Sequence, residues 1–66
     1  MAKSPTGIIP EELMLPARRG QVMAFLINLP IEGDTKVELL IGWARAVGVT
    51  VNSSQRRTVR ESGVDR

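Results

Sequence analysis

The sequence predicts a mainly α chain with one short β-strand, a single small domain that folds by pairing with a second copy of itself. The first observation is an apolar run, Gln21 to Leu29, enclosed by Gly20 and Pro30. The second is an apolar segment that follows a Thr-x-x-Glu signal and stops at Gly48. The third is size. A chain of 66 residues has room for one domain, and such a chain buries only about 60% of the surface its unfolded form exposes. Disulfides and Cys/His metal sites are the usual remedies for so small a core. With no cysteine and no histidine, association remains.

Residues 1–20 hold Pro5, Pro10 and Pro16 with Gly7 and Gly20, and Ile8, Ile9, Leu13, Met14 and Leu15 lie between them. Pro10 suits the first position of a helical turn through Glu11 and Glu12, and Pro16 ends it. The segment reads as an extended or flexible N-terminal arm. Residues 21–63 then form the folded domain, and 64–66 a tail.

The run from Gln21 to Leu29 satisfies two periods. As a helix, Val22, Phe25, Leu26 and Leu29 share a face. As a strand, Met23, Phe25, Ile27 and Leu29 line one side and Val22, Ala24, Leu26 and Asn28 the other. The β-favouring Val, Phe and Ile and the bounding Gly20 and Pro30 tilt the expectation toward a strand.

Thr35-Lys36-Val37-Glu38 has the form of a capping box, which predicts a helix from about Lys36 to Val47 with Gly48 as its left-handed C-cap. Val37, Leu40, Ile41, Ala44 and Val47 trace one face. Leu39, Trp43 and Ala46 form a second apolar stripe, leaving Lys36, Glu38 and Arg45 as the charged positions. A helix apolar on so many sides implies a subunit interface.

Beyond Gly48, Thr50, Asn52, Ser53 and Ser54 are all competent N-caps. A last helix is expected from between Val51 and Gln55 to Ser62, with Gly63 as its stop. Val59 is its only large apolar residue, and Arg56, Arg57 and Arg60 make it basic.

The net charge of +2 is too small for a whole-molecule argument, but the basic residues cluster at Arg18–Arg19 and over Arg56–Arg60. Without histidine or cysteine there is no Ser-His or Cys-His nucleophile, and the isolated glycines form no phosphate-cradling loop. Glu32, Asp34 and Glu38 match no calcium-loop spacing. The expectation is a protein that is not an enzyme, with no metal and no cofactor. No apolar stretch approaches the length of a membrane span and the first residues lack a signal peptide's apolar region, so a cytoplasmic protein with no membrane partner is expected.

The order of apolar strand, turn, apolar helix, Gly48-Val49-Thr50 turn and basic helix resembles the ribbon-helix-helix (Arc- and methionine-repressor-like) family of DNA-binding proteins. Leu29-Pro30, Ala44 four residues before Gly48, and Val51-Asn52-Ser53 carry the likeness, and Val59, Glu61 and Ser62 continue it. The resemblance implies an intertwined homodimer in which two strands pair into a ribbon. Its core side and helices would supply the interface: Phe25, Ile27, Leu29, Leu39, Leu40, Trp43 and Val47. The opposite side, Ala24, Leu26 and Asn28, would enter the DNA major groove. Thr50, Asn52 and Ser53, at the start of the last helix, would hold a phosphate, with Arg18, Arg19, Arg56 and Arg57 adding backbone contacts.

The implied function is that of a transcriptional repressor or accessory factor. The Ala44, Gly48, Val49, Thr50 pattern also fits an all-α, three-helix helix-turn-helix protein with the same role. A rival of another class is a protein-protein interaction module, an adaptor, inhibitor or assembly subunit that grips another protein through the apolar arm and an exposed apolar face.

Overall fold

The computed structural model describes residues 8–63, so residues 1–7 of the expected arm and the 64–66 tail lie outside the described residues. The run that satisfies two periods folds as a helix, α1, Arg19–Ile27. Among the described residues there is no strand, and the expected ribbon is therefore absent. A strand would leave its backbone groups to a partner chain, whereas a helix satisfies them within its own turn. The helical period also serves the core, since Val22 and Leu26, four residues apart, are both fully buried. Phe25, Ile27 and Leu29, expected on the core side of a ribbon, are half-buried instead. Asn28 closes the helix, its side-chain Nδ2 donating to the Ala24 carbonyl at 2.8 Å. Pro30 then prevents continuation.

The second helix, α2, spans Gly33–Val47. It starts a turn earlier than the capping signal predicts. Glu32 is the N-cap and caps through no side-chain hydrogen bond, which leaves Thr35 and Glu38 inside the helix. The cause is packing. Gly33 lies against the end of the third helix, α3 (Ser53–Glu61), so closely that a Cβ there would fall on the Arg60 carbonyl. At the other end the sequence signal holds: Gly48 takes φ 82°, and its N–H and that of Val49 donate to the Ala44 carbonyl at 2.8 and 2.9 Å.

The three helices enclose a core of Val22, Leu26, Val37, Leu39, Leu40, Trp43, Ala44, Val51 and Val59, joined by Ile9 from the N-terminal segment. Residues 8–18, expected as part of the arm, contain two single 3-10 turns, Glu11–Leu13 and Pro16–Arg18. They do more than trail. Ile9 is buried, Leu13 and Met14 pack against the core, and Trp43 Nε1 donates to the Leu13 carbonyl at 2.7 Å. Leu39, Leu40 and Trp43, which the apolar surplus of α2 assigned to a subunit interface, are thus covered by the chain's own residues. The all-α, three-helix alternative is the one that fits.

Lys36, one of the charged positions of α2, is fully buried. Its Nζ donates to the Ile27 carbonyl at 2.9 Å, the Ser62 carbonyl at 3.0 Å and Ser62 Oγ at 3.1 Å. Ile27 is the last residue of α1 and Ser62 the C-cap of α3. Helix C-termini carry unpaired carbonyls and the negative end of the dipole, so one ammonium serves both. Burial lowers the Lys36 pKa below the ordinary lysine value. Among the described residues no helix is long and apolar enough to cross a membrane.

Candidate nucleic-acid interface

Helix α3 begins with reciprocal hydrogen bonds. Asn52 Oδ1 accepts from the Gln55 N–H at 2.8 Å, and Gln55 Oε1 accepts from the Asn52 N–H at 2.9 Å. This is a capping box with Asn and Gln in place of the commoner Ser/Thr and Glu. Val59 is the helix's one buried residue. Gln55 and Arg56 are half-buried, and the other residues of α3 are exposed.

Ser53, Arg56, Arg57 and Arg60, at spacings of three, four and seven, fall on one face and line a shallow depression of about 330 Å³. Arg56 is fixed in place: Nη1 donates to the Val51 carbonyl at 3.0 Å and Nη2 to Ser53 Oγ at 3.3 Å. Arg57 is exposed. Arg60 Nε lies 3.3 Å from Asp34 Oδ1 in the first turn of α2, with side chains 63% and 82% exposed. A pair this open is worth at most about 1 kcal/mol, and an anion competes for the arginine at little cost. The face therefore presents guanidinium groups with rigid and adaptable members side by side, a donor set suited to phosphate oxygens.

The expected site residues separate into three groups. Asn52, Ser53, Arg56 and Arg57 are brought together at the start of α3, with exposed Thr50 just before the cap. Arg18 and Arg19 lie where the second 3-10 turn passes into α1; Arg18 Nη1 donates to Gln21 Oε1 at 2.9 Å, and Arg19 is half-buried with its Nε shielded from solvent. Ala24, Leu26 and Asn28, the supposed groove face of a ribbon, belong to α1 and its cap instead. Ala24 and Asn28 are exposed, but Leu26 is fully buried and has no surface to offer a base edge. The strand register that grouped these residues does not exist in a helix.

Arg60, grouped with Arg56 and Arg57 on the basic helix but not among the expected phosphate contacts, lines the same depression. Its spacing of four from Arg56 and three from Arg57 on the expected helix already set the three on one face. Comparison with protein-family models, with curated proteins and with solved structures finds no match to this chain.

Proposed function

We propose that this chain binds DNA through the basic face of α3, as a small transcriptional repressor or accessory factor, and that it makes most of its contacts to the phosphate backbone. The observation that carries the proposal is the convergence of Ser53, Arg56, Arg57 and Arg60 on one exposed face. An α-helix fits the DNA major groove, and Lys and Arg side chains flanking it neutralise phosphates and release counterions. The α3 cap gives the helix a defined start, so the arginines project from a rigid frame. The proposal carries with it a cytoplasmic place of action.

Fluorescence anisotropy on a labelled duplex at low salt tests it. Binding is expected to weaken steeply with salt. Arg57→Ala combined with Arg60→Ala should lower affinity across all sequences and reduce the salt slope by about one per phosphate contact removed. Absence of binding at low salt, or binding indifferent to both substitutions, overturns the proposal.

A further inference from the structure

The outward face of α2 is used neither by the core nor by the basic face of α3. Glu38, Ile41, Gly42, Arg45 and Ala46 line an open groove of about 480 Å³ along it. Ile41 is one of the few large apolar side chains left exposed, and Gly42, half-buried beside it, lines the same groove. Glu38 and Arg45 close the two ends. They lie seven residues apart, about 10.5 Å along the axis, too far to pair with each other. Among the described residues neither takes part in an ion pair.

These positions are related by a dyad. A two-fold axis placed between Ile41 and Gly42 brings Glu38 opposite Arg45 of an antiparallel second copy, and Arg45 opposite its Glu38. The same axis seats each Ile41 on the other copy's Gly42. A parallel arrangement would set Glu38 against Glu38 and Arg45 against Arg45. The face is thus complementary to itself in one orientation only, as an isologous interface requires. We propose that two copies of this chain associate through the α2 face, antiparallel, with Ile41 packed on Gly42 and Glu38 paired with Arg45 across the axis. Glycine lets the two helix backbones approach closely, so the isoleucine finds contact rather than a gap. The area is that of one helix face, below the size of a standard stable interface, so the dimer is weak, with a dissociation constant in the micromolar range or above. This inference stands independently of DNA binding.

Sedimentation equilibrium of the full chain, from micromolar to near-millimolar concentration, measures the association. The wild type is expected to form a dimer reversibly. Ile41→Glu should raise the dissociation constant about tenfold or more, since it places a carboxylate at the dyad. Glu38→Arg and Arg45→Glu should each weaken it by a similar factor through two like-charge contacts. Mixing these two variants should restore a dimer, because one chain then carries arginine at both charged positions of the face and the other carries glutamate at both. Both charge positions are exposed, so these variants keep the test decisive if Ile41→Glu perturbs folding. A wild type that stays monomeric throughout overturns the proposal. So does a dimer indifferent to the substitutions, or a mixture that associates no better than its components.

Discussion

Along its fifteen residues α2 buries Lys36, Val37, Leu39, Leu40, Trp43 and Ala44, whereas the nine residues of α3 bury Val59 alone. The first helix is fixed by what surrounds it on several sides. The second is seated on α2 through Val59 and the close approach of Gly33 to Arg60, and is held at its ends by the Asn52–Gln55 capping box and by Lys36 on Ser62. The contrast teaches how a chain this small can leave most of one helix exposed. Hydrogen bonds at the termini add to the packing of a single buried side chain, and the outer side of α3 remains open to arginine.

The largest expected effect lies on the buried side of the comparison. Trp43→Ala empties the centre of the core and deprives the Leu13 carbonyl of its donor, at a cost of about 3–5 kcal/mol. For a domain of this size that is most or all of its stability. Far-UV circular dichroism should find the variant largely unfolded at ambient temperature. A folded variant would mean that the core closes without the indole and its hydrogen bond to the Leu13 carbonyl.

Lys36→Met comes next and attacks the joint between the helices. It leaves the Ile27 and Ser62 carbonyls without their buried donor, which costs about 2 kcal/mol in urea unfolding. The same residue has a pH signature. Because burial lowers its pKa from 10.5 in the folded chain, the unfolded chain holds the proton more tightly. The linked stability is complete above pH 10.5 and is lost as the pH falls through the folded-state value. Stability should therefore rise on the approach to pH 10.5, a window in which no His, Cys or Tyr titrates. Lys36→Met should flatten the rise; a rise that survives the substitution belongs to another group.

Asn52→Ala removes one half of the capping box and should cost about 1 kcal/mol. Hydrogen exchange should locate the loosening in α3, with α2 protected as before. Equal loss of protection in both helices would mean that α3 is part of the same cooperative unit and that its apparent independence is only geometric.

The smallest effect on stability belongs to Arg57→Ala with Arg60→Ala, less than about 0.5 kcal/mol by thermal unfolding, since one is exposed and the other makes an open ion pair. A larger loss would show that the arginines support the fold, and would blur the division between the two helices.

The sequence on its own determined the body of α2, its stop at Gly48 and a basic helix after it, because these rest on local chemistry: apolar spacing, the left-handed freedom of glycine and a cap within a few residues. It also identified Asn52 and Ser53 as cap candidates and Arg56 and Arg57 as one cluster. Tertiary structure alone decided the rest. Gln21 to Leu29 satisfies both periods over too short a length, and only the match of Val22 and Leu26 to the core of the folded chain selects the helix. The start of α2 moved to Gly33 because the neighbouring end of α3 demands a residue without a Cβ. Trp43 went inward because residues distant in sequence cover it, and Lys36 went with the core because two helix C-termini meet at one point. Each of these depends on groups brought together by folding, and no local pattern records them.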